Sequence, residues 1–313
     1  MRLLKAIGIV LMSVLLVASV ILFLMRGEAT KVSDKAAVAA AQAAAPTPEV
    51  PAQLAVTPEP TPEVTATPEP TPTEAPSPTP VPTPDPDSPA GRAAALGLPT
   101  PPDIDIDSWE YTLVNGDNSI GQYVPEQLAY LDMTVADTEI QTAYNGYRLP
   151  VDIRVAQPLI DMALGCKAAG LPVYLSSGYR NYNEQVQNFQ RVCQNNGVTD
   201  GKDANGHYIT MPAGCSEHQL ALCCDITDVY RAIKNKDIEN TETFKWLKEH
   251  CAEYGFIHRF PEGKEDITGV MYEPFHFRYV GQEVARYITD NGLVLEEFVA
   301  LYRGSAAQTE NTP

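Results

Sequence analysis

Positive charge is scarce in this chain. Lys and Arg number 22 against 40 Asp and Glu over 313 residues, a net charge of -18. Binding nucleic acid through its phosphates needs clustered cations, so the composition argues against that class of function. It suits an exported protein kept soluble by its charge. Cysteine is absent before Cys166, and the six cysteines (Cys166, Cys193, Cys215, Cys223, Cys224 and Cys251) all lie in the C-terminal portion. An even number outside a membrane permits disulfides, but the sequence does not say which pairs form. Tryptophan and tyrosine are missing before Asp103, so the first third lacks the groups that build a core.

What that first third does contain is an anchor and a spacer. Ala6 to Met25 is a run of 20 residues without charge, rich in Ile, Leu and Val, which matches the ~30 Å hydrocarbon thickness of a bilayer. Arg2 and Lys5 precede it, so the positive-inside bias puts the N-terminus in the cytoplasm. A cleaved signal peptide is the rival reading, but its apolar part is shorter and is followed at once by a small-residue site, whereas here Arg26-Gly27-Glu28 follows. Nineteen of the 27 prolines then fall between Pro46 and Pro102, and the hexapeptide Thr57 to Pro62 recurs unchanged as Thr67 to Pro72. Such a segment favours extended polyproline II at ~3.1 Å per residue and acts as a stalk. The expected organisation is residues 1–26 as cytoplasmic tip and transmembrane helix, 27–102 as a disordered linker, and 103–313 as one folded domain with its core at about 149–301.

From Asp103 onward local patterns become readable. Val155, Leu159, Ile160, Met162, Ala163 and Cys166 recur at helical spacing and stop at Gly170. Leu171 to Leu175 reads as a strand that delivers the loop Ser176 to Arg180, and Asn181 to Asn195 as a polar helix. Leu220 to Ile226 suits a buried strand, Thr241 to Tyr254 a helix, and Phe256 to Phe260 and Phe275 to Val280 two further strands. Helices start near Gln282 and Leu295. Helices and strands mix without a regular βαβ repeat, so the predicted fold class is α+β, a small antiparallel sheet flanked by helices.

Two segments carry the chemistry. Ser216-Glu217-His218-Gln219 leads to Asp225, and Glu273-Pro274-Phe275-His276 follows later. His218, Asp225 and His276 make a three-ligand set that suits zinc and also accommodates manganese or cobalt, with Glu273 free beside them as a base. Pro274 rules out a helix interior there, so Glu273 reaches the site from a turn or strand entry. Its expected role is to take a proton from the attacking water and pass it to the leaving amine. Arg180, in Ser177-Gly178-Tyr179-Arg180, is the candidate clamp for a substrate carboxylate, with Gln185 and Ser216 as neutral donors. A rival assignment joins Cys215, His218 and Cys223 or Cys224 in a structural thiolate site, but it leaves Asp225, Glu273 and Arg180 without a shared purpose.

These motifs, with Tyr254-Gly255-Phe256 and Glu273 to Gly281, resemble in order and spacing the VanY-type D-alanyl-D-alanine carboxypeptidases, peptidase family M15B, over roughly Leu149 to Leu301. The resemblance implies zinc on His218, Asp225 and His276, Glu273 as catalytic base, and Arg180 with Gln185 and Ser216 on the terminal D-alanine carboxylate. It also implies peptidoglycan stem peptides as substrate, which fits an enzyme anchored in the cell membrane with its catalytic domain outside. Two alternatives belong to the same expectation: an L,D-carboxypeptidase acting on tetrapeptides, and a zinc-containing wall-binding module without catalysis. The chain departs from the family pattern at Ala221, where the family has glycine, at Cys223 and Cys224 before the aspartate, and at Phe260 and Phe275. The two cysteines are expected to alter packing beneath the metal and not its ligands.

Overall fold

The computed structural model describes residues 83–131, 141–142, 148–230 and 232–304. The expected anchor and most of the expected linker lie outside them. Among the described residues no helix is long and apolar enough to cross a membrane. In chain order the elements are helix α1 (Pro89–Ala95), strands β1 (Leu128–Leu131), β2 (Gln141–Thr142) and β3 (Leu149–Asp152), helix α2 (Ile153–Ala168), strand β4 (Tyr174–Ser177), helix α3 (Tyr182–Asn196), strand β5 (Cys223–Thr227), helix α4 (Glu242–His250), strand β6 (Phe256–Phe260), helix α5 (Glu265–Thr268), strand β7 (Glu273–Tyr279), and helices α6 (Gln282–Asp290) and α7 (Leu295–Arg303).

The α+β class holds, with two refinements. The main sheet has five strands in the order β2-β4-β5-β7-β6, and β1 pairs with β3 in a separate two-stranded ribbon. All pairings are antiparallel except β2 with β4, which is parallel and sits at the sheet edge. Order also begins before Asp103. Ser88 caps α1 by accepting from the Gly91 amide at 3.0 Å, and Arg92 donates to the carbonyls of Leu301 and Tyr302 at 2.6 and 2.8 Å. Leu98, Ile104 and Ile106 pack on the apolar cluster of α6 and α7. Proline content masks these contacts in the sequence, because Pro89 at the first turn favours a helix start rather than opposing it.

Helix α2 forms because Val155, Leu159, Met162, Ala163 and Cys166 share one buried stripe, and because Asp152 caps it through the Arg154 amide at 2.9 Å. Helix α3 buries little beyond Gln185 and Cys193, and it relies on a reciprocal cap between Asn181 and Glu184. The strand expected from Leu220 starts instead at Cys223, since Ala221 has φ of 62° and turns the chain into β5. Along β5 the pleat sends Cys224 and Ile226 into the core with Leu175, Phe256 and Phe277. Cys223 and Asp225 therefore point to the opposite face. Register places Ser177 beside Asp225, and Asp225 beside His276, in one row across three strands.

Candidate metal centre and substrate cavity

That row is the floor of the site. Asp225 sits mid-sheet on β5, His276 opposite it on β7, and His218 enters from a 3-10 turn at Glu217–Gln219. Asp225 Oδ1 lies 3.4 Å from His218 Nε2 and 3.1 Å from His276 Nδ1. Each ring is fixed from behind. His218 Nδ1 donates to the Gly178 carbonyl at 2.6 Å, which leaves Nε2 facing Asp225. His276 Nε2 lies 3.3 Å from Glu217 Oε2, which leaves Nδ1 facing the same point. The second carboxylate oxygen of Asp225 is held by Lys234 Nζ at 2.6 Å.

Electrostatics favour a cation at this point. Burial opposes a charged His276, yet Cys223, Asp225 and Glu217 as acceptors hold its imidazolium well above the usual histidine range. Burial raises the Asp225 carboxyl, but Lys234 and His218 outweigh it and bring the group well below the ordinary carboxylate range. Two imidazoles and one carboxylate are the donor types of the three-ligand pattern that leaves a position for water, although the group whose ligand atoms all lie within 4.8 Å of one another among the described residues holds Cys223 with the two histidines and not Asp225.

Glu273 opens β7, and its Oε2 lies 3.7 Å from His276 Nδ1. Burial, reinforced by the Asp225 charge, pushes its carboxyl above the ordinary value against the pull of His276. Its backbone carbonyl accepts from His258 Nε2 at 3.1 Å, and burial keeps that imidazole neutral by lowering its pKa to about 4. Arg180, Gln185 and Ser216 join His218, Asp225, Glu273 and His276 around one cavity of about 650 Å³. The Arg180 amide donates to the His218 carbonyl at 3.0 Å, so the two residues share a backbone link. Gln185 spends one amide hydrogen on the Met211 carbonyl at 2.6 Å. A second cavity of about 360 Å³, lined by Trp109, Tyr123, Arg154 and Leu220, contains none of these residues.

The family model for VanY: D-alanyl-D-alanine carboxypeptidase matches residues 148–282. The Bacillus subtilis protein YodJ is 35% identical over 189 residues, which cover 59% of this chain and 65% of that protein. A D-alanyl-D-alanine carboxypeptidase of Enterococcus faecalis is 36% identical over 197 residues, covering 61% and 66%. The chain thus spans just under two thirds of the length of these two relatives. The solved structure of the LdcB LD-carboxypeptidase, described with its basis of peptidoglycan recognition, is 32% identical with a TM-score of 0.52, covering 61% of this chain and 85% of that one. The chain belongs to the VanY family.

In this VanY-family chain several residues around the site escape a reading by motif. Glu217 is 3% exposed and accepts from Arg259 Nε and Arg278 Nη1, both at 2.8 Å, besides facing His276. Arg259 also grips Glu296 at 2.8 and 2.6 Å. The signal for Arg278 was available in its position two residues after His276, on the same face of β7. Lys234 and Glu296 offer no such signal, since Lys234 comes from the loop nine residues after Asp225 and Glu296 from helix α7. Cys223 needs a correction: it does more than alter packing. Its thiol lies with ring nitrogens of His218 and His276 in a group whose ligand atoms are all within 4.8 Å of one another. Burial raises that thiol, but the two histidines outweigh it and bring it to about 7. The rival thiolate site is not assembled: Cys224 packs in the core and Cys215 is outside this group. All six cysteines are free thiols.

Proposed function

We propose that this chain is a zinc-dependent D-alanyl-D-alanine carboxypeptidase that removes the C-terminal D-alanine from peptidoglycan stem peptides. The observation that carries the reading is one cavity shared by a guanidinium, Arg180, a half-buried carboxylate, Glu273, and the converging atoms of His218, Asp225 and His276. An ion there would be held by His218, Asp225 and His276 and would supply a Lewis acid and an acidified water near neutral pH. Arg180 takes the terminal carboxylate of the peptide through two parallel hydrogen bonds. Ser216 and the second amide hydrogen of Gln185 add neutral donors. Glu273, with its raised pKa, accepts the proton of the attacking water and returns it to the leaving D-alanine amine.

The anchor at Ala6 to Met25 and the proline-rich stalk support a location on the outer side of the cell membrane, where stem peptides occur. A second reading, L,D-carboxypeptidase on tetrapeptides, is favoured by the likeness to the LdcB LD-carboxypeptidase. Incubating the zinc-loaded full chain with muramyl pentapeptide and tetrapeptide, followed by mass analysis, separates the two. Loss of one alanine from the pentapeptide is the expected result; loss from the tetrapeptide alone would establish the second reading, and loss from neither would sink both. Glu273→Gln should lower turnover by about 10²–10⁴-fold while the protein still binds one zinc. Normal D-alanine release by that variant would remove Glu273 from the mechanism.

A further inference from the structure

The strand that delivers Asp225 also delivers a thiol. Cys223 lies two residues earlier on β5, so the pleat aims both side chains at the same face. Across the ladder it is paired with Arg278, two steps along from the Asp225–His276 pair. Cys223 is 1% exposed, yet it belongs to neither apolar cluster, whereas its neighbour Cys224 packs inside the core. What it meets instead is the two histidines, with the sulfur and one ring nitrogen from each all within 4.8 Å of one another. A tetrahedral zinc with Zn–N of ~2.0 Å and Zn–S of ~2.3 Å sets its donors roughly 3.5 Å apart. Small side-chain adjustments bring the three atoms to that spacing.

We propose that Cys223 is a fourth protein donor to the ion held by His218, Asp225 and His276. The centre then has a closed four-ligand state beside the open three-ligand state that hydrolysis requires, and the thiolate competes with the attacking water for one position. A sulfur donor also biases the site toward zinc, cobalt or cadmium and away from ions that prefer all-oxygen ligands. Coordination releases the thiol proton to solvent. This inference rests on the metal centre of the proposed function and adds a ligand to it.

The test is to load metal-free full-length protein with one equivalent of Co(II) and record its absorption. A thiolate-to-cobalt charge-transfer band in the near ultraviolet is expected. It should disappear in Cys223→Ser and Cys223→Ala and persist in Cys224→Ser. The zinc Kd of Cys223→Ala should rise by about tenfold or more, since a lost donor matters no less than a lost outer partner. Cobalt bound without the band, or a band that survives both Cys223 variants, overturns the fourth ligand and leaves the three-ligand centre standing. Failure of the wild type to bind cobalt or zinc at all overturns the metal centre itself. If the Cys223 variants do not fold, zinc X-ray absorption of the wild type decides directly. One sulfur at ~2.3 Å supports the proposal, and a shell of only nitrogen and oxygen overturns it.

Discussion

On one face of the main sheet Leu175, Ile226, Phe256 and Phe277 meet as hydrocarbon; on the other, Asp225, His276, Arg278 and Arg259 meet as charge. Both faces are equally dry, with Arg259 and Arg278 0% exposed like Leu175 and Phe277. The apolar face gains by area removed from water, and residues of similar volume are interchangeable there at small cost. The charged face tolerates burial only because each group meets a stated partner. Glu217 answers Arg259, Arg278 and His276 together, and Glu296 answers Arg259. One face therefore degrades gradually when altered, and the other fails as a unit.

The sharpest way to break that contrast is Glu217→Gln. It leaves Arg259 with Glu296 as its one carboxylate and Arg278 with backbone carbonyls alone, and removes the charge behind the ring of His276. Removing one partner of a buried pair costs about 3–5 kcal/mol, and loss of a ligand's outer partner weakens metal binding by about 10–100-fold. Urea unfolding and zinc competition on the same protein read both effects. A stable variant with unchanged zinc affinity would show that the charges on this face act independently.

Ala221→Gly is expected to act in the opposite direction and less strongly. Ala221 is the one non-glycine residue with positive φ among the described residues, at 62°, a conformation that costs an L-residue roughly 1–2 kcal/mol. Glycine adopts it freely. Thermal unfolding should shift upward by about 2–4 °C per kcal/mol for a domain of this size. A lowered midpoint would mean that the methyl group, 0% exposed, contributes more packing than the turn loses in strain.

The same contrast explains how much could be read from the sequence. Val155 announces its helix through periodicity and Ile226 its strand through an apolar run, and His218, Asp225, Glu273 and His276 announce a candidate site because those residue types at those intervals suit one chemistry. Glu217 carries no such sign, since a glutamate beside a ligand ordinarily reads as a solvated side chain. Its role depends on Arg259 and Arg278, which only the sheet register brings together. Cys223 was hidden for a related reason: beside Cys224 it looks like one of two small core residues, and only the start of β5 decides which of them faces the histidines. Helix α1 was concealed by the prolines around it, because its partners lie about two hundred residues away in α7.

The mildest perturbation tests whether the two faces communicate. Ile226 follows Asp225 on β5 but points into the core, 1% exposed, opposite Leu175 in register. Ile226→Val removes one methylene group there and should cost about 0.5–1.5 kcal/mol, read by the urea midpoint. That side chain lies on the face of β5 opposite to Asp225, so zinc affinity and D-alanine release should stay at the wild-type level. A change in either would mean that the position of Asp225 depends on core packing beneath it. The site would then draw its geometry from the hydrocarbon face as well as from Lys234, Glu217 and the Gly178 carbonyl.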